Sequence, residues 1–191
     1  IDKLSSFRVY TRSTEEQGGQ IIPNVEFVLT GSKIIGTDGN DQPVYKFKAT
    51  YQTNADGYVD IPDLEWDSYT FSVDKETTGL DLISTDPAQP VNLLPDTHQD
   101  VTLVLKAENT LLVSVKDQKT NSPIFAASVR IYDDQGFDKV QPTDEQGETF
   151  FLPLQNKTYS LEVQAENYQT YEGSVYVEGD TSQEVYLTPS G

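Results

Sequence analysis

The sequence predicts an all-β protein made of two tandem antiparallel β-sandwiches of about seven strands each. Three observations predict this. Short runs alternate apolar and polar residues with a period of two, and turn residues bound them at regular spacing. No stretch sustains the 3.6-residue period of a helix. One pattern of turn, strand, turn and strand also occurs twice, as TNADGYVDIPDLEWDSYTFSV at 53–73 and TDEQGETFFLPLQNKTYSLEV at 143–163, at an offset of 90 with no gap.

The elements follow in order. The first domain opens on Phe7, Val9 and Thr11, and Val25, Phe27 and Leu29 form its next alternating run. In the first copy of the repeat, Thr53 leads a polar turn ending in Gly57, which permits a left-handed backbone. Val59 and Ile61 follow on one strand, then Tyr69, Phe71 and Val73 on the next. Val101, Leu103 and Leu105 close the domain. The second domain opens on Leu111, Val113 and Val115 and continues through Ala127, Val129 and Ile131. It then repeats the turn with Thr143 and Gly147, followed by Thr149 and Phe151, then Tyr159, Leu161 and Val163, and closes on Val185 and Leu187. The predicted domains are 1–107 and 108–191. Their junction, LKAENTLL, has neither Gly nor Pro, so it limits hinge freedom and favours a semi-rigid rod.

The first domain carries two additions. Residues 31–47 read as a longer hairpin or loop. Residues 77–100 contain three prolines, which places them on the surface or along a sheet edge.

The net charge is −18, from 31 acidic and 13 basic residues. The two halves share it equally, so neither is an acidic tail. Such a chain repels phosphate backbones and anionic lipid, which argues against nucleic-acid and membrane-surface partners. Without cysteine it has no disulfides and no thiolate metal sites. No apolar run approaches the roughly 20 residues that cross a bilayer. The chain starts at Ile1 and contains no Met, so it is expected to be a piece of a longer protein whose anchor lies outside it.

Little in the sequence carries chemistry. His98 sits in a Pro-rich stretch beside Asp96 and Asp100, and is expected to be a solvated loop residue. No Ser occupies a G-x-S-x-G elbow, and two small sandwiches leave little chain to build a cleft with facing carboxyls. The protein is therefore not expected to be an enzyme. Asp38, Asn40 and Asp41 surround Gly39 and offer oxygen ligands for Ca²⁺, although the same residue types make ordinary turns. Asp133, Asp134 and Asp138 form a second such group, and neither group has EF-hand spacing. Trp66, the only Trp, is placed at a hairpin tip, where it either stacks on a ligand or folds over its own core. Tyr168 and Tyr171 are the other candidates for a ligand-binding surface.

The second domain resembles carboxypeptidase regulatory-like domains of the transthyretin-like, prealbumin-type group. The resemblance rests on Pro123 with Ala126 and Ala127, on Thr143, Asp144, Gly147 and Tyr159, on Ala165 and Tyr168, and on Val175, Val177, Gly179, Asp180 and Leu187. Asn167 stands where the family has Gly, and Asn156–Lys157 where it has Pro-Gly. The first domain shares only the central part. The resemblance implies Ig-like, prealbumin-like sandwiches without catalysis, used as spacer or presentation modules of exported bacterial surface and pilus-associated proteins. The implied location is extracellular or on the cell surface, with a protein or glycan partner. A carbohydrate- or glycoprotein-binding module and an accessory piece of a secreted hydrolase are the alternatives. A related group of adhesin repeats forms Lys–Asn isopeptide bonds. Here Lys116 is expected to face outward, and the closing strand QEVYLTP offers no Asn.

Overall fold

The computed structural model describes residues 3–191 of the chain, so the first two residues of the predicted first domain lie outside the described residues. Two compact units are present, one ending at Ala107 and the other spanning Glu108–Gly191. Both are all-β.

Unit one contains β1 (Ser5–Ser13), β2 (Glu26–Gly31), β3 (Ile34–Thr37), β4 (Pro43–Tyr45), β5 (Lys48–Gln52), β6 (Tyr58–Leu64), β7 (Asp67–Ser72), β8 (Leu80–Asp86), β9 (Val91–Leu93) and β10 (His98–Ala107). One sheet has the order β6-β1-β10-β8 and the other β5-β2-β7-β9, while β3 and β4 form a separate hairpin. The expected alternation holds. Phe7, Val9, Val101, Leu103 and Leu105 point inward from one sheet, and Phe27, Leu29, Tyr69 and Phe71 from the other. Phe7 ties the sheets together, meeting Tyr69 edge-on at 5.4 Å and Phe71 at 5.8 Å between ring centres. Such aromatic pairs add about 1 kcal/mol each beyond the area they bury. The Pro-rich stretch crosses between the sheets: β8 is the edge of one, β9 the edge of the other, and the Asp86–Pro87 and Gln89–Pro90 bonds between them are cis.

Unit two has seven strands: β11 (Thr110–Asp117), β12 (Ser128–Tyr132), β13 (Asp138–Pro142), β14 (Glu148–Phe151), β15 (Lys157–Gln164), β16 (Tyr171–Val177) and β17 (Asp180–Leu187). They form sheets of order β14-β11-β17 and β13-β12-β15-β16. The core includes Leu111, Val113, Val115, Val129, Ile131, Phe151, Tyr159, Leu161, Val163, Val185 and Leu187, with Phe137 packed on Tyr159.

The internal repeat marks the same job in both units. Thr53 and Val25 exchange two hydrogen bonds, the Thr amide donating to the Val25 carbonyl and the Thr hydroxyl accepting from the Val25 amide. Thr143 does the same with Ala127, and its hydroxyl also donates to the Ile124 carbonyl. Both hydroxyls are buried, so their pairing avoids the cost of an orphaned polar group. The next residue organises the turn: Asn54 Oδ1 accepts from the amides of Asp56 and Tyr58, and Asp144 Oδ1 from those of Gln146 and Glu148. Gly57 and Gly147 close these turns at φ 77° and 75°. Each repeated tyrosine then bonds to the backbone four residues earlier. Tyr69 donates to the Glu65 carbonyl, and Tyr159 accepts from the Gln155 amide.

One feature departs from the antiparallel expectation. In each unit the first strand pairs with the last in parallel: β1 with β10 over eight positions from Ser6↔His98 to Ser13↔Leu105, and β11 with β17 over eight from Thr110↔Asp180 to Asp117↔Leu187. Alternation says which side of a strand is buried but nothing about the direction of its neighbour.

Candidate functional site

The most distinctive surface lies at the end of the β2–β5 ladder in unit one. Beyond Gly31, whose amide donates to Phe47 O, the two strands leave the sheet and continue as the β3–β4 arm. Every residue of the arm strands is exposed, including Ile34, Ile35, Val44 and Tyr45. Ile34 faces Tyr45 and Gly36 faces Val44, so Ile35 is bulged out of the ladder.

The base of the arm is charged and hydrogen-bonded. A recess of about 150 Å³ is lined there by Lys33, Lys46, Phe47, Asp63, Glu65, Asp67 and Tyr69. Asp67 opens β7 on the inward-facing register shared by Tyr69 and Phe71. Its carboxylate accepts from the Ser32 hydroxyl at 2.5 Å and from the amides of Ser68 and Lys33. Burial alone would raise its pKa, but these donors outweigh burial and hold it below the ordinary carboxylate value. Tyr69 is pushed up to about 12, first by burial and then by the nearby Asp67 charge. Glu65 lies between two ammonium groups, Lys46 at 2.8 Å and Lys33 at 3.6 Å, and the Lys46 hydrogen bond leads in lowering its pKa.

Trp66 is 52% exposed, but it does not cap the expected hairpin: it sits on the turn between β6 and β7, which belong to different sheets and do not pair. Lys33 Nζ lies 3.9 Å from the ring centre and donates to Trp66 O. One face of the indole is therefore already covered by a cation. Tyr168 and Tyr171 belong to unit two, and their rings pack against its core. The Tyr168 hydroxyl donates to Asp117 at 2.7 Å. The three predicted ligand residues are thus split, with Trp66 in one unit and both tyrosines in the core margin of the other.

Asp38, Asn40 and Asp41 form the tip of the arm. Asp38 Oδ1 accepts from the amides of Asn40 and Gln42, led in its pKa-lowering effect by Gln42, so that oxygen closes the turn. Among the described residues, no group of three or more His, Asp or Glu is placed to hold a metal ion. In the second acidic group, Asp133 is bound by Lys157 and by the amides of Gln135 and Phe137, and Asp138 by Arg130 through two nitrogens.

His98 is not in a loop: it begins β10, and the proline that suggested a loop, Pro95, lies just ahead of the strand. Its Nδ1 is 2.8 Å from Ser6 Oγ and its Nε2 2.9 Å from Asp100 Oδ1. The order Ser, His, Asp superficially matches a hydrolytic triad. Catalysis also needs donors for a developing oxyanion, and the Ser6 amide is already given to Thr97 O. Lys116 points outward to Glu184 at 3.0 Å, while its neighbours Val115 and Val185 fill the core.

Reading the sequence missed the inward-facing charges Asp67, Asp117 and Lys139. Asp67 was detectable as an acid in phase with Tyr69 and Phe71. Lys139 faces inward opposite Ile131 on the edge strand β13, and burial lowers its pKa. An inward-pointing charge on an edge discourages addition of a further strand.

No family model matches the chain, and no curated protein matches it by sequence. Solved structures similar to it include the Bacillus anthracis TIE protein, at 16% identity and TM-score 0.41 over 98% of this chain. A streptococcal ancillary pilin follows at 15% and 0.40 over 97%, and the shaft pilin SpaA of Lactobacillus rhamnosus GG at 11% and 0.42 over 99% of both chains. The chain spans 34% of the first of these proteins and 62% of the second. No helix among the described residues is long and apolar enough to cross a membrane.

Proposed function

We propose that this chain is a non-catalytic structural module of an exported bacterial protein, spacing or presenting something at the cell surface or on a pilus-like appendage. The observation that carries the reading is the parallel pairing of first and last strands in each unit. A strand pair of that kind makes the chain enter a unit at one pole and leave it at the opposite pole. Each unit therefore adds its own length to the path, as a spacer requires. The charges agree with a passive role. Among the described residues, the carboxylates whose pKa moves all move down, with Asp60, Asp67, Asp117 and Glu184 held by hydrogen bonds, so they are bases without proton-donor character at neutral pH. The resemblance of unit two to carboxypeptidase regulatory-like domains belongs to the same reading. It is supported by the structural tasks of Thr143, Gly147 and Tyr159. Immunogold labelling of producing cells with an antibody to the chain tests the proposal: label on the envelope exterior or on appendages is expected, and label confined to the cytoplasm overturns it.

A second reading, a glycan-binding module, is favoured by exposed Trp66 beside the charged recess. Titration of Trp66 fluorescence with a glycan panel decides it, since a saturable change that Lys33→Ala alters is required.

A further inference from the structure

We infer that the parallel terminal strands form a shear clamp in each unit, so that the chain bears tension applied along its length. The inference rests on the spacer reading and adds a mechanical role to it. Tension on the two ends draws β1 and β10 in opposite directions along their shared axis, and likewise β11 and β17. Their ladder bonds then lie across the direction of sliding and are loaded together. A pair pulled apart from one end instead breaks its bonds in succession.

Three features make sliding costly. First, the ladders are long, with eight paired positions each, and backbone bonds continue them at both ends. In unit one these are Ser6 N to Thr97 O and Thr14 N to Leu105 O; in unit two they are Thr110 N to Gly179 O and Gln118 N to Leu187 O. Second, the inward side chains of all four strands lock the register. Phe7 and Val9 on β1, Leu103 and Leu105 on β10, Val113 and Val115 on β11, and Val185 and Leu187 on β17 are buried. A one-residue slip turns each of them to the opposite face of its sheet, so no intermediate register preserves the core. Third, side chains cross the clamp as rungs. In unit two Thr110 bonds Asp180 at 2.8 Å, Lys116 bonds Glu184 at 3.0 Å and Thr188 bonds Gln118 at 2.6 Å. In unit one Ser6 bonds His98 across the same kind of pair. This gives the Ser6–His98 contact a structural task in place of a catalytic one.

The chain lacks cysteine, so engineered cysteines fix the points of pulling without competition. The test compares two geometries in single-molecule force spectroscopy on the whole chain. In the first, handles are attached to cysteines appended at both ends. In the second, they are attached through Glu108→Cys and Glu178→Cys, exposed positions that flank the same end of the β11–β17 pair. The shorter of the two length releases in the first geometry identifies unit two. Its rupture force there should exceed by several-fold that of the same unit opened from 108 and 178. Equal forces in the two geometries overturn the clamp, and they do so without touching the location on the cell that tests the spacer reading. Circular dichroism of the cysteine variants, matching the parent chain, confirms that both geometries pull on the folded protein.

Discussion

Replacing Gly147 by Ala tests the meaning of the repeat. Gly147 lies at φ 75°, where an L-residue costs about 1–2 kcal/mol. A Cβ built there falls 2.6 Å from Val115 O, 3.0 Å from Pro123 Cβ and 3.1 Å from Ile124 N. These are backbone or ring atoms and cannot swing aside. Val115 O also accepts from Ile124 N at 3.0 Å, while the Val115 amide donates to Gly147 O at 2.7 Å. Relieving the overlap strains both bonds, each worth about 1 kcal/mol net. The expected loss for Gly147→Ala is therefore about 3–4 kcal/mol. Its counterpart Gly57 has nearly the same φ, 77°, and a Cβ there falls 2.1 Å from Cγ2 of the exposed Ile21, a β-branched side chain that must leave its χ1 rotamer to make room. Gly57→Ala should lose the conformational cost of about 1–2 kcal/mol and about 1 kcal/mol more for moving Ile21. Gly136, at φ 98° with nothing within 4 Å, sets the baseline for conformation alone. Urea unfolding followed by circular dichroism measures all three. Trp66 fluorescence reports unit one separately, and its transition should stay in place in Gly147→Ala. If Gly147→Ala costs no more than Gly136→Ala, the close approach of Val115 O is not what demands glycine there.

Further outcomes follow from the charged groups. Asp67→Ala leaves the Ser32 hydroxyl and two amides without their acceptor and should cost unit one about 2 kcal/mol in urea unfolding. Because the folded pKa of Asp67 is depressed, its contribution is present above the unfolded value near 4 and fades as pH falls through the lower folded value. Asp67→Asn should flatten that acid limb in melts between pH 2 and about 5. Tyr69 acts at the other end: its pKa is raised, so its stabilisation is complete below about 10 and is lost as pH rises towards 12, and Tyr69→Phe should remove this alkaline limb. Intact mass spectrometry should give the unmodified sequence mass, since Lys116 is held outside the core by Glu184; loss of one ammonia would contradict this placement. Millimolar calcium should leave the melting temperature unchanged, because Asp38 is already engaged by turn amides.

Much of the fold was legible because alternation is a local property. Phe7, Val9, Leu111, Val113, Tyr159 and Leu161 could be assigned to the core from their spacing alone, and all are buried. Thr53 and Thr143 were legible as a repeat but not as buried hydrogen-bond hubs, because their partners Val25 and Ala127 lie 28 and 16 residues away. Strand direction was not legible at all. Ser6 and His98 carry no mark of being neighbours, and only the closed sheet brings them together. The base of the arm was hidden for the same reason. Lys33, Lys46 and Glu65 meet because β2, β5 and β7 converge, whereas Trp66, conspicuous in the sequence, stands at the margin of that group.

The β3–β4 arm has a practical consequence. Its stem is fastened at Gly31–Phe47 and by the Lys46–Lys33 backbone bond, and a side chain added at Gly36 or Gly39 would touch nothing. The tip around Gly39 is thus a natural graft point. A foreign epitope or tag spliced there would hang in solvent, and a protease cutting there would nick the chain while both sheets of the sandwich kept their pairing.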